Sequence, residues 1–489
     1  MAHLDRFLST GVARRRPGPV RVAVIGAGYA GLSAALDLID AGCSVTVYEA
    51  GTVPGGRARR IPGGDGSDDN GQHLLLGAYT ELLGLLRRLK VPLEAVFERR
   101  PLRLSVVGGL DLHAARLPAP WHLAAGFLLA GGVSWRERLS TVRMLHDLQK
   151  GGFRAHRHET VAKLLDRHHA HGRMRAFLWD ALCVAALNTP PERACAQIFL
   201  NLLHDLATGP RSHSDLLLPR TDLSALLPEP AVAYLRQRGG RVHLQTPVTA
   251  IQDAGSRLMV NAGTATALFQ HVVLAVAPRS VSHLIGDWAD MQLLLGQIDA
   301  LQHERIATLT LAYQQPVRLP FPMMAVAAGE VDWIFDRRQL LGSHGGNEGG
   351  RLACVMSAPP PQRSLDRLAL VEYAHRDVER LIGRCAPPVD SRLVVEKTAT
   401  FSCRPGIERP DEITHDPRLL LAGDYLASRY PATLETAVRS GRRAAAAIIH
   451  WNDLSSPGRR VAYALHAPSR GPAGARPSSY TPPSARNRS

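Results

Sequence analysis

Val20 to Ile25 is a short, almost unbroken apolar run, the pattern of a strand covered on both faces of a parallel sheet. From Tyr29 to Ala41 the period lengthens. Leu32, Ala35, Leu36 and Ile39 then share one face of a predicted helix, and Gly42 stops it. Ser44 to Tyr48 predicts a second strand and completes a βαβ unit. The stretch from roughly 110 to 225 reads as mostly helical, broken by Pro and Gly. Strand patterns return at Gly240 to Ile251 and at Phe269 to Val276. Residues 305–400 mix strands with a helix over Leu365 to Ile382. Arg418 to Leu421 predicts another buried strand, ending at Ala422-Gly423-Asp424, and Thr433 to Trp451 a final long helix.

The βαβ unit carries the sharpest chemical signal. Between strand and helix lies Gly26-Ala27-Gly28-Tyr29-Ala30-Gly31, and Glu49 ends the second strand, 18 residues past Gly31. Gly26 permits a tight turn, Gly28 admits a pyrophosphate close to the backbone, and Gly31 lets the helix pack tightly on the sheet. The helix N-terminus offers amides to phosphate, and Glu49 is placed to accept ribose hydroxyls. Alone, a GxGxxG is weak. With strand, helix, strand and acid in order, it predicts a dinucleotide site of Rossmann type.

Pro54-Gly55-Gly56-Arg57-Ala58-Arg59 follows. This resembles the Gly-Gly-Arg element of the flavin amine oxidase and phytoene desaturase superfamily, and the resemblance implies FAD. It implies that the Gly55-Gly56 backbone and the Arg57 guanidinium meet the FAD phosphates and flavin region; a solvated loop arginine is the plainer reading. Leu420 to Asp424 resembles the late strand and Gly-Asp pair of the same superfamily, which puts Gly423 and Asp424 at the ribityl–pyrophosphate region. The helix after Pro431 resembles the flavin-facing helix, with Thr433 and Leu434 at its start. Thr436 stands where Gly is frequent, and Thr433 is also an ordinary N-cap. Val248 matches a position whose backbone meets adenine and is equally an ordinary core valine.

Three further segments narrow the resemblance: Asp69-Asn70-Gly71-Gln72-His73 through Tyr79, Leu187-Asn188-Thr189-Pro190-Pro191-Glu192, and Leu217 to Pro230. With Tyr430 to Glu435 they resemble the squalene-associated FAD-dependent desaturases, the hydroxysqualene dehydroxylases, over roughly residues 20–450. The implied reaction is reductive: hydroxysqualene loses its hydroxyl and receives hydride, giving squalene for hopanoid synthesis. Expelling hydroxide needs a proton donor near the flavin. Asp69, His73 and Glu435 are the candidates. Each has a plain alternative: a loop tie, a satisfied core histidine and a helix-end contact. Asn188 and Arg220 are candidate polar groups on the substrate side. The residues name no electron donor.

The expected architecture is α/β, a Rossmann-type FAD-binding domain of the flavin amine oxidase kind with an inserted α+β substrate domain. Its expected segments are a leader (1–19), FAD-binding parts (20–110, 229–285, 401–453), a mostly helical substrate part (111–228), a second substrate part (286–400) and a disordered tail (454–489).

Composition changes little in this picture. Six cysteines show no CxxC pair, and no His/Cys spacing reads as zinc, so no metal is expected. A net charge of +15 over 489 residues admits nucleic acid or an acidic membrane, but no aromatic-studded basic motif supports nucleic acid. The His/Arg stretch from Arg154 to Arg175 reads as a solvated basic face, with contact to anionic lipid as the alternative. No secretory signal is legible at Met1 to Pro19, and the expected location is the cytoplasm. Trp121 to Val133, about 13 apolar residues, is too short to span a bilayer, which takes about 20. Followed by Trp135, Arg136 and Arg138, the run reads either as core or as a peripheral contact on the inner face of a membrane. Two other functions share the motifs: an isoprenoid desaturase or amine oxidase with electron flow reversed, and a non-catalytic, flavin-stabilised assembly subunit.

Overall fold

The computed structural model describes residues 18–61, 68–326, 329–341 and 349–454. The expected tail beyond 454, and all of the expected leader except 18–19, lie outside them. Strand β1 (Arg21–Ile25), helix α1 (Tyr29–Asp40) and strand β2 (Ser44–Tyr48) form where the pattern predicts. The helix ends at Asp40 because Gly42 takes φ +83° and the Gly42 and Cys43 amides turn back to Ile39 O and Leu38 O.

These strands belong to a five-stranded parallel sheet in the order Leu419–Leu421, His271–Leu274, β1, β2, Arg241–His243. It draws on three distant stretches of chain. On one face, α1 and the terminal helix Leu434–Leu454 bury Leu32, Leu36, Val438 and Ile448 against Val22 and Val24. Each such aliphatic side chain contributes about 1.5–3 kcal/mol. On the other face, Ala23, Ile25, Val272 and Leu421 meet an antiparallel meander of Val248–Asp253, Leu258–Ala262 and Ala265–Phe269. The strand expected over Gly240 to Ile251 is two strands. They separate at 244–247, where Gln245 takes φ +52°.

A second five-stranded sheet is antiparallel throughout, in the order Met323–Ala325, Trp333–Asp336, Arg351–Ser357, His303–Ala312, Asp390–Phe401. Helix Arg367–Ile382 covers one face, packing Leu370, Ala374 and Val378 with Leu309, Ile334 and Cys354. It starts two residues later than the pattern suggests because the Asp366 carboxylate caps the Ala369 amide at 2.9 Å. The opposite face presents Ala325, Trp333, Val355, Thr308 and Val394 as one cross-strand row. Helices Trp121–Leu129, Trp135–Lys150, Val161–Arg167, Ala181–Leu187 and Ala196–Thr208 fill the middle of the chain. Among the described residues, no helix is long and apolar enough to cross a membrane.

Candidate active site

The β1–α1 turn is built for close approach. Gly26 sits at φ +105°, and a Cβ there would lie 2.4 Å from the Ala275 carbonyl oxygen. A Cβ on Gly31 would lie 2.0 Å from Gly26 O. Gly28 starts α1 without a side-chain cap, so no side chain competes for the first-turn amides of Tyr29, Ala30 and Gly31. Gly55 donates its amide to Ala27 O at 2.8 Å, which brings the second glycine pair alongside the first. A Cβ on Gly56, at φ +62°, would come within 3.3 Å of Gly28 Cα. Side chains are thus excluded from the surface that a pyrophosphate needs.

Glu49 braces this turn. Its Oε2 accepts the Ala27 amide and its Oε1 the Gly51 amide, each at 2.7 Å. Each carboxylate oxygen keeps a further lone pair, so the bracing is compatible with a ribose hydroxyl. The Glu49 carbonyl accepts the Thr246 amide, which carries half-buried Val248 to the same end of the sheet.

Arg57 ties three segments together. Nη2 meets Asp424 Oδ1 at 2.5 Å, and Nη1 donates to the Ala399 carbonyl. Burial disfavours its charge, but Asp424 first and Glu396 next hold its pKa above the ordinary value. Gly423 and Asp424 end the strand Leu419–Leu421, and the Gly423 amide donates to buried Ser440 Oγ at 2.8 Å. Thr433 caps the terminal helix through the Thr436 amide at 3.1 Å, with Leu434 as its first residue. Thr436 is buried and donates its hydroxyl to Pro431 O.

The segment 69–73 lies against this group. Asp69 is buried. Its Oδ1 accepts the Leu223 amide at 2.9 Å and its Oδ2 faces Arg337 Nη2 at 3.4 Å. Burial pushes its pKa up to about 6, against the pull of Arg337. Buried Arg337 also donates to Gln72 Oε1 at 2.9 Å. Asn70 donates to Arg57 O, and its contact with Glu396 Oε2 is 3.4 Å. His73 Nδ1 lies 3.0 Å from Gly71 O. Burial, then the Arg57 charge, lowers its pKa, so the neutral ring donates through Nδ1 and leaves Nε2 as an acceptor. Glu435 faces elsewhere. Its two oxygens accept the Glu81 and Leu82 amides at 3.0 and 2.9 Å, at the start of helix Thr80–Arg88, and Arg439 Nε lies 2.8 Å away.

Asp69 and His73 thus share the Gly-Gly-Arg side, while Glu435 holds a helix end. Arg220 is exposed. Asn188, left-handed at φ +45°, donates Nδ2 to Thr400 Oγ1 at 3.0 Å, and its buried Oδ1 has no partner among the described residues. Sequence reasoning missed Ser440, Arg337, Glu396 and His303. Burial and the nearby Arg57 lower the His303 pKa. No local pattern marks these residues, because each reaches the site only through tertiary packing.

The paired glycine turns, Glu49, Arg57 and the Gly423-Asp424 strand end fit FAD, and they define an FAD-dependent oxidoreductase. The chain matches the family model of the flavin containing amine oxidoreductases over residues 29–449. A hydroxysqualene dehydroxylase of Rhodopseudomonas palustris is 30% identical over 443 residues, covering 87% of this chain and 97% of that protein. One from Sinorhizobium fredii is 29% identical over 441 residues, covering 87% and 98%. A solved putrescine oxidase variant superposes with a TM-score of 0.66 at 18% identity, covering 88% of this chain and 99% of that one, which supports the fold. The chain belongs to the hydroxysqualene dehydroxylase family within the flavin containing amine oxidoreductases.

Proposed function

We propose that the protein removes the hydroxyl of hydroxysqualene reductively and releases squalene, as a step in hopanoid or related triterpene synthesis. The observation that carries this reading is similarity to hydroxysqualene dehydroxylases over nearly their whole length, helical middle segment included. The reaction adds a proton and a hydride to the substrate and releases water. FAD, when bound in its reduced form, supplies the hydride.

The protein's own residues supply the remainder. Gly26, Gly28, Gly31, Gly55 and Gly56 bind the cofactor phosphates, Glu49 and Val248 the adenosine end, and Arg57 with Asp424 the middle. Thr433 and Leu434 carry the N-terminus of the terminal helix to the flavin end. Loss of water from carbon needs surroundings that do not return it, and Trp333, Val355 and Val394 offer an apolar wall in a cross-strand row that Thr308 alone interrupts. Of the three proton-donor candidates, we assign the role to Asp69. Its pKa of about 6 leaves a usable fraction protonated near neutrality. Neutral His73 offers an acceptor, and Glu435 is held by two amides and Arg439. A substrate this apolar barely dissolves in water, so the protein meets it through peripheral contact with a membrane from the cytoplasmic side.

An anaerobic assay tests the reaction. The bound flavin is reduced, hydroxysqualene is added, and flavin reoxidation is followed together with squalene. Squalene equal to the flavin oxidised is expected. Flavin that stays reduced with no squalene overturns the reading, and bleaching of oxidised flavin by an isoprenoid substrate would replace it with a desaturase.

A further inference from the structure

Among the described residues, twelve large apolar side chains are exposed, and five of them fall within 117–139: Leu117, Trp121, Leu129, Trp135 and Leu139. Trp121, Leu129 and Trp135 are 66%, 76% and 69% exposed. These are the two ends of helix Trp121–Leu129 and the first residue of helix Trp135–Lys150.

The exposure belongs to a fixed scaffold. The inner face of the first helix is anchored: His122 Nε2 lies 3.0 Å from Ser214 Oγ, and Phe127 packs on Trp179. A Cβ on Gly126 would sit 2.5 Å from His113 O. The connecting turn is equally held. Asp111 and Gly131 exchange backbone hydrogen bonds, and Gly132, at φ +75°, packs on Gly109 O. The helix therefore has a packed side and an apolar outer side, with no polar face for water.

Charge around the patch is mostly positive, with exposed Asp111 beside the turn facing His113 at 3.0 Å and Arg103 at 3.6 Å. Between 114 and 146 the chain carries Arg116, Arg136, Arg138 and Arg143 against Glu137 alone. Glu137 is engaged in the capping box, accepting the Ser134 amide and hydroxyl at 2.8 and 2.7 Å. Arg138 lies over the Trp135 ring at 4.9 Å and donates to Leu128 O and Val133 O, so it gathers at the same turn.

We propose that this hairpin docks the protein on an anionic lipid bilayer, with Trp121, Leu129 and Trp135 in the interface and the arginines at the headgroups. This deepens the peripheral-membrane reading above and rests on it. The location suits that role. Val106, on the hairpin that holds Gly131, pairs with Ala325 on the edge strand of the antiparallel sheet. The row Ala325, Trp333, Val355, Thr308, Val394 then crosses the sheet toward the 69–73 segment. Five strands at about 4.8 Å spacing span roughly 19 Å. An apolar substrate leaving the bilayer at this edge meets the sheet face that leads to the cofactor site.

The test is vesicle flotation of the full-length, FAD-loaded protein, using phosphatidylcholine vesicles with and without phosphatidylglycerol. The wild type is expected to float with the anionic vesicles and on the order of tenfold less with neutral ones. Combined Trp121→Ser, Leu129→Ser and Trp135→Ser is expected to lower flotation at least tenfold, with flavin content unchanged. Leu293→Ser, on an exposed apolar residue elsewhere, is expected to leave it unchanged. A wild type that stays with the soluble fraction overturns the peripheral-membrane reading and the surface with it. A triple variant that floats like the wild type overturns the surface alone. Equal flotation on neutral vesicles overturns the anionic assignment.

Discussion

Glu435 is a buried carboxylate whose geometry separates two roles that sequence leaves open. Two backbone amides and one guanidinium converge on it, so its removal exposes a helix start rather than a reacting group. Glu435→Gln is expected to lower stability by about 1–2 kcal/mol, the scale of a lost cap. Turnover per bound flavin should stay within about threefold. Thermal melting and steady-state assay on the same sample check this; a large fall in turnover at unchanged melting temperature would make Glu435 the proton donor. Asp69 gives the opposite signature, one of pH. Its pKa is raised to about 6 by burial, so the folded protein holds this proton more tightly than the unfolded chain. Its contribution to stability is full below about pH 4 and lost as pH rises through about 6, a change of roughly 3 kcal/mol. Asp69→Asn is expected to flatten the melting temperature across that window. It should also remove the descending limb of turnover near pH 6 while FAD stays bound. Melts and rates from acid to neutral pH measure both, and an unchanged limb would move the proton to another group.

Elements meet where small residues let them. The terminal helix crosses α1 at Gly441, where a Cβ would lie 2.0 Å from Ala30 O, and Ser33 Oγ donates to Val438 O at 3.0 Å. Gly441→Ala must push two helices apart, at an expected cost of about 1–3 kcal/mol. Gly84, in the exposed face of helix Thr80–Arg88, has open space where a Cβ would go. Gly84→Ala should stabilise by about 0.4–1 kcal/mol. Denaturant midpoints of the pair measure the contrast; equal shifts would mean the helix crossing relaxes freely. Gly26, Gly28 and Gly31 were legible because their spacing is local, within one strand–turn–helix. Gly441 was not, since its constraint comes from a residue some 400 positions away. The antiparallel sheet was illegible for the same reason. Thr308 pairs with Val355 on one side and Val394 on the other, and local period states neither partner. The expected stretch over 305–400 therefore named strands without an order. The helix starts at Asp366 and Thr433 were off by only one or two residues, because caps are local chemistry.

At the scale of the whole molecule, the parallel sheet takes strands from 21–48, 241–274 and 419–421, so no contiguous piece of the chain holds the cofactor site. Arg57 joins what the chain order separates. One guanidinium reaches Asp424 at the end of the parallel sheet and the Ala399 carbonyl in the antiparallel sheet. A lysine keeps the charge but has a single nitrogen, and it cannot serve two acceptors in a fixed fork. Arg57→Lys is therefore expected to weaken FAD retention about tenfold, near 1.4 kcal/mol, without altering the far-ultraviolet circular dichroism at room temperature. Because bound ligand stabilises the folded state by mass action, the holoprotein should also release flavin at a lower temperature, ahead of backbone melting. Flavin fluorescence and circular dichroism recorded in one thermal ramp measure the two events together. If both stay coincident at the wild-type temperature, the two sheets are held by their apolar contacts alone. If they separate, the ion pair and the carbonyl contact are what couple cofactor binding to the meeting of the two sheets.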